Sequence, residues 1–199
     1  MKLLVATSNA GKMGEVREIL LPLGFELLSL KEAALPSPDE NGITFQDNAA
    51  AKATACAAQS GLWTLGDDSG LCVDALGGGP GVHSARYADG DEARRKKLLA
   101  ALETVPEARR GAHFFCALAL SAPGGRRIFY AEGRAFGSIS REPRGQNGFG
   151  YDPLFLPLET PGRTLAELES AEKNRLSHRG RALARLHPLL ERLARDGAL

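Results

Sequence analysis

The chain is 199 residues long, 43% hydrophobic and 25% charged, the profile of an ordinary soluble globular chain with room for one sizeable core. Lysine and arginine number 25 against 24 aspartates and glutamates, a net charge of +1, so no bulk field draws the chain to nucleic acid or membrane and an anionic ligand must be met locally. Cys56, Cys72 and Cys116 stand far apart in apolar settings, which fits reduced buried thiols and not a zinc site or disulfide frame. No apolar run reaches membrane-spanning length and no signal-type leader opens the chain, so the expected compartment is the cytoplasm.

Taken in order, residues 2–6 read as a short strand that runs through Thr7-Ser8-Asn9 into a helical pattern beginning near Lys12 and stopping at Pro22-Leu23-Gly24. A loop of small polar residues feeding a helix N-terminus can hold an anion, phosphate above all, with Lys12 adding a charge; the same residues also fit a plain N-cap beside a solvated lysine. Walker A and dinucleotide loops are excluded, because their glycines and hydroxyl residues are missing. Residues 25–30 read as a second strand and 31–42 as a loop. Thr44 then opens an alanine-rich helix that closes at Gly61, with Asn48 and Lys52 on one face. Lys52 on such a helix points either to a site or to water.

Next comes Gly66-Asp67-Asp68-Ser69-Gly70. Two carboxylates at a strand end suit a hard cation such as Mg²⁺, although Asp-Asp-Ser-Gly also has the composition of a turn. Residues 91–103 form an amphipathic helix whose run Arg94-Arg95-Lys96-Lys97 reads as a solvated face. Residues 113–121 and 127–136 read as a hairpin turning at Pro123-Gly124-Gly125, which makes the sheet mixed. In Gly148-Phe149-Gly150-Tyr151-Asp152 the flanking glycines suit presentation of a ring to a nucleobase, and core packing of Phe149 and Tyr151 is the alternative. A helical segment near residues 164–172 follows, then Lys173, then a last helix capped by Ser177, which Pro188 is expected to kink or split. No repeat or linker interrupts the chain, so one domain is expected over residues 1–199.

Several of these stretches together resemble the inosine triphosphate pyrophosphatases, hydrolases of non-standard purine nucleoside triphosphates. They are Thr7-Ser8-Asn9-Ala10-Gly11-Lys12, Thr44-Phe45-Gln46-Asp47-Asn48-Ala49 with Lys52, Asp67-Asp68-Ser69-Gly70-Leu71, Pro80-Gly81 with Ser84-Ala85-Arg86-Tyr87, Phe149-Gly150-Tyr151-Asp152-Pro153 and Ser177-His178-Arg179. The resemblance implies an elongated α/β fold with a mixed central sheet, helices on both sides, two lobes flanking a substrate cleft, and a homodimer. It implies that Thr7, Ser8, Asn9, Ala10, Gly11 and Lys12 bind the triphosphate, that Glu40 and Asp68 hold Mg²⁺, that Asp68 is the general base and that Lys52 steadies the phosphates. Ser69, Phe149, Gly150, Tyr151, Asp152, Lys173, His178 and Arg179 would complete the substrate contacts. The implied reaction cleaves ITP, dITP or XTP to a monophosphate and pyrophosphate, and ATP is expected to be spared because it presents a donor at C6 where hypoxanthine presents an acceptor.

Two rival readings come from the residues alone. Ser69 and the histidines suggest a serine hydrolase, but the order Gly-Asp-Asp-Ser-Gly is not a nucleophile elbow. A basic C-terminal stretch (Arg175, Arg179, Arg181, Arg185) with Phe149 suggests an RNA-binding module, against which stand the near-zero net charge and the absence of an RNA-binding signature.

Overall fold

The computed structural model describes residues 1–126 and 128–199; Arg127, the expected first residue of the second hairpin strand, lies outside the described residues. The elements run β1 (Lys2–Ala6), α1 (Ala10–Leu20), β2 (Glu26–Ser29), α2 (Phe45–Ser60), β3 (Thr64–Val73), α3 (Asp91–Ala101), β4 (Gly111–Ser121), β5 (Ile128–Ile139), β6 (Phe155–Pro157), α4 (Ser170–Leu176) and α5 (His178–Asp196). The strands form one six-stranded sheet in the order β2-β1-β3-β4-β5-β6. β1 is parallel to β2 and β3, while β5 and β6 are antiparallel, so the sheet is mixed, as the sequence led us to expect.

Local chemistry explains the helix ends. Asn9 caps α1, its side chain accepting from the Lys12 amide at 3.0 Å, so the helix starts two residues before Lys12. Thr44 caps α2 by accepting from Asp47 N at 3.1 Å, and Gly61 closes it in the left-handed region at φ +66°.

The chain divides into two compact units: Met1–Asp68 with Cys116–Gly133 and Arg179–Leu199, and Ser69–Phe115 with Arg134–His178. In the first, the buried cluster includes Leu3, Val5, Val16, Leu65, Leu118 and Leu186. Leu65 faces α1 and α5 in this cluster, whereas its neighbour Gly66 faces α2, as strand alternation requires. A Cβ on Gly66 would lie 2.2 Å from the Ala49 carbonyl oxygen, so glycine is what lets α2 lie directly on β3. Helices therefore cover both faces of the sheet in this unit. In the second unit the core gathers Leu71, Leu98, Phe114, Tyr151, Leu154 and Phe155.

Three sequence expectations change. The Asp-Asp-Ser-Gly stretch is neither a turn nor a strand end, because β3 runs through it without a break from Thr64 to Val73. The helix expected near residues 164–172 is a 3-10 turn (Leu165–Glu167) followed by α4, since Leu168 and Glu169 are extended. Pro188 does not split α5, which continues through it with Leu186, Leu190 and Leu193 buried; packing of the apolar stripe outweighs the lost backbone hydrogen bond. Among the described residues no helix is long and apolar enough to cross a membrane.

Candidate active site

Strand order β2-β1-β3 reverses direction at β1, and in open parallel sheets such a reversal marks a ligand site at the carboxyl ends of the strands. The register places it. Ala6 pairs with Gly66, so the next residues, Thr7 just past β1 and Asp67 and Asp68 on β3, stand where the parallel pairing ends. From Thr7 the chain turns into the N-terminus of α1, where unsatisfied N–H groups and the helix dipole favour an anion. Thr7 is buried and its Oγ1 accepts from the Asn9 amide at 3.1 Å, which shapes the loop. A cavity of about 600 Å³ opens beside it, lined by Thr7, Ser8, Asn9 and Ala10 and, from the end of β2 and the segment after it, by Ser29 and Lys31.

The two adjacent aspartates go to opposite faces of β3, so they do not act as a pair. Asp68 faces α2. Its Oδ1 lies 3.1 Å from Lys52 Nζ and its Oδ2 accepts from Asn48 Nδ2 at 3.0 Å. Lys52 Nζ also donates to Glu40 Oε1 at 2.7 Å. Asn48 Oδ1 accepts from Gly42 N at 2.8 Å, which ties the Glu40 segment to the same helix. Burial raises the Asp68 carboxyl pKa against the opposing pull of Lys52, a useful direction for a base. Burial also works against the Lys52 charge, but Asp68 and Glu40 outweigh it and keep the side chain an ammonium.

Asp67 faces α1 and α5 and is fully buried. Its carboxylate accepts from Lys12 Nζ at 2.8 Å and from Arg179 Nε at 2.7 Å, and Arg179 Nη1 pairs with Glu15. Burial would raise the Asp67 carboxyl, yet Arg179 and Lys12 hold it well below the usual carboxylate range. The Cys116 thiol, 3.5 Å from Asp67, is pushed up by burial and by that carboxylate and is inert as a nucleophile.

Two carboxylates converge here on one ammonium, and that is the donor set a hard divalent cation takes. Glu40 and Asp68 therefore fit Mg²⁺. Among the described residues no cluster of three or more His, Cys, Asp or Glu joins them.

In the second unit Asp152 is the organiser. Its Oδ2 accepts from Phe149 N at 2.8 Å and from Lys173 Nζ at 2.6 Å, and both Asp152 and Lys173 are buried. The Lys173 ammonium stands 5.0 Å from the centre of the half-buried Phe149 ring. A Cβ at Gly148 would lie 2.2 Å from Asp152 Oδ2, so only glycine fits, and its φ of +74° agrees. The His178 ring stacks on Phe114 at 4.7 Å with an 11° interplanar angle.

Two further assigned residues take partners inside the protein. Tyr151 is a core residue: its ring is buried and its hydroxyl donates to the Ser84 carbonyl at 2.9 Å, with burial raising its pKa. Arg179 is wholly buried with its guanidinium on Asp67 and Glu15, whose charges it balances. Gly11 lies in the first turn of α1 and Gly150 in the Phe149 loop, where the backbone is what each contributes. Ser69 is the β3 residue after Asp68, half-buried at the start of the second unit. Sequence reasoning gave Asn48 no role beyond sharing a face with Lys52, and missed Glu15. Asn48 was visible as a buried-face neighbour of Lys52 on α2, whereas nothing local marks Glu15.

A helix N-terminus stands at the same strand ends as the Glu40–Lys52–Asp68 cluster, in an α/β protein with a mixed sheet. A sequence model of the Ham1 family matches residues 3–189, and the chain belongs to the Ham1 family. It is 50% identical over 206 residues to a dITP/XTP pyrophosphatase of Corynebacterium efficiens, covering 98% of this chain and 99% of that one. It is 51% identical over 189 residues to a dITP/XTP pyrophosphatase of Geobacter sulfurreducens, covering 93% and 94%. Among solved structures it is similar to a HAM1 protein from Coxiella burnetii, with a TM-score of 0.83 and 42% identity over 96% of this chain and 98% of that one.

Proposed function

We propose that this chain hydrolyses the non-standard purine nucleoside triphosphates ITP, dITP and XTP to the monophosphate and pyrophosphate, clearing them from the nucleotide pool. It acts as a Mg²⁺-dependent cytoplasmic homodimer, with residues 1–199 as one domain per protomer. The observation that carries the reading is Asp68, buried and fixed between Lys52 and Asn48, with Glu40 on the same lysine.

Each residue has a chemical task. The Thr7–Lys12 backbone and the Lys12 ammonium receive phosphate oxygens. Glu40 and Asp68 would hold Mg²⁺, which when bound supplies Lewis-acid neutralisation of the phosphate charge. Asp68 accepts the proton of the attacking water, helped by its raised pKa. Lys52, kept charged by its two carboxylates, balances the charge that spreads over the transferring phosphoryl oxygens. At the other end of the substrate Phe149 stacks on the purine, Asp152 accepts from N1–H, and His178 with Lys173 donates toward O6. Adenine meets those donors with an amino group and an unprotonated N1, and the mispaired polar groups reject it.

Pyrophosphate release from ITP, XTP, dITP, GTP and ATP with Mg²⁺ tests the reading. The first three are cleaved, EDTA abolishes release, and Asp68→Asn lowers kcat by roughly 10²- to 10⁴-fold, the usual worth of a general base. Comparable turnover of ATP, or an Asp68→Asn enzyme as fast as the parent, would refute it.

A further inference from the structure

The loop that carries Phe149 is held from outside itself by the first turns of α3, the segment whose charge run reads from sequence as a solvated face. Only part of that run faces water. Glu92, Lys96 and Lys97 are exposed, whereas Asp91, Arg94 and Arg95 are half-buried, and these three share a face by their i, i+3, i+4 spacing. Asp91 Oδ2 accepts from Gly150 N at 2.7 Å, and Arg95 Nη1 donates to Gly150 O at 2.8 Å. Both backbone polar groups of Gly150 are thus bound by one turn of helix. Asp91 is itself braced by Arg94, which donates to Asp91 Oδ1 at 2.8 Å and to the Ala88 carbonyl at 3.0 Å.

Gly150 lies at φ +60° and Gly148 at φ +74°, and glycines without such contacts leave these conformations at little energetic cost. Phe149, between them, is anchored at its own amide by Asp152 and at the next residue by α3. A stacking ring contributes its full affinity only when it is ordered before the base arrives.

We propose that Asp91 and Arg95 are positioning residues that hold Phe149 for stacking on the purine, so that KM and base selectivity depend on α3. This rests on the reading of Phe149 given under the proposed function. The chemistry at Asp68 does not use the clamp, so KM responds more than kcat.

The test compares Arg95→Ala and Asp91→Ala with Arg95→Lys, which keeps a donor for the Gly150 carbonyl, and with Glu92→Ala, which removes a charge from the same turn without touching the loop. Two quantities are read: kinetics with ITP and ATP, and hydrogen–deuterium exchange of the amides at residues 147–152. In both alanine variants KM for ITP rises about tenfold, a part of the roughly 5- to 150-fold that a complete stack is worth. In the same variants kcat stays within about threefold, the preference for ITP over ATP narrows, and exchange at Phe149 and Gly150 accelerates. Arg95→Lys restores most of the KM, and Glu92→Ala matches the parent in everything. Unchanged exchange in the alanine variants overturns the clamp. Faster exchange with unchanged KM and selectivity overturns its role, as does a Glu92→Ala enzyme that behaves like the other two. A parent enzyme inactive on every purine triphosphate brings down the proposed function and this role together, whereas an active parent with unaffected variants brings down this role alone.

Discussion

Arg179 in one unit and Arg110 in the other are both wholly buried, but Arg179 is met by carboxylates and Arg110 by backbone carbonyls. Arg179 touches Asp67 and Glu15, and Asp67 in turn holds Lys12. Arg110 donates to the carbonyls of Ile139, Leu102 and Ser140 at 2.8, 2.7 and 2.9 Å, fastening the end of β5 to the end of α3, and burial lowers its pKa. The difference lies in what each buried cation holds. In the first unit, the charge that stabilises the fold also orients Lys12, the lysine we propose for phosphate, so on that proposal stability and chemistry are coupled. In the second, the buried cation closes backbone ends, and the groups assigned to the base belong to a separate set built on Asp152.

Breaking the first arrangement costs most. Arg179→Met leaves Asp67 and Glu15 buried with their largest counter-charge gone, which should remove about 3–5 kcal/mol of stability in urea unfolding. Turnover per folded molecule should also fall, because Lys12 loses a fixed partner geometry. A variant as stable as the parent would mean that the network is not what holds this unit.

Arg110→Met leaves carbonyl acceptors unpaired without stranding a charge, so the expected loss is smaller, about 1–3 kcal/mol. The same unfolding measurement, paired with kcat and KM on the folded fraction, should show stability falling with both kinetic constants unchanged. If Arg110→Met lowered kcat as Arg179→Met does, the contrast between the units would collapse.

Phe149→Ala sharpens the comparison from the functional side. Loss of a base stack worth about 1–3 kcal/mol should appear in KM for ITP while the urea midpoint stays put. A shifted midpoint with unchanged KM would instead make Phe149 a packing residue.

The smallest effect is expected at an exposed pair. Glu32 accepts from the Ser29 hydroxyl and amide and from Arg17, which hold its carboxyl at about 2 against an ordinary 4.5. Between those values the unfolded chain binds more protons, so this contribution is present above pH 4.5 and lost as the pH falls through about 2. Urea midpoints of the parent and Glu32→Gln should differ slightly at neutral pH and converge near pH 2; a gap that persists in acid would point to lost packing instead of charge.

The sequence by itself determined what short-range chemistry controls. The β1–loop–α1 unit, the Thr44 and Gly61 ends of α2 and the mixed sheet all follow from neighbours within a few positions, through caps, alternation and glycine. Tertiary structure alone decided the rest. Asp67 and Asp68 read as a pair until β3 is seen to run through them, and then the pleat sends one to α1 and α5 and the other to α2. Arg179 carries no local sign of a partner, and only the fold sets it against Asp67, 112 residues away in the chain. Arg95 reads as part of a solvated run until Gly150, 55 residues on, takes its hydrogen bond. Burial and charge pairing are set by what the fold brings near, and no local pattern encodes a partner that distant in sequence.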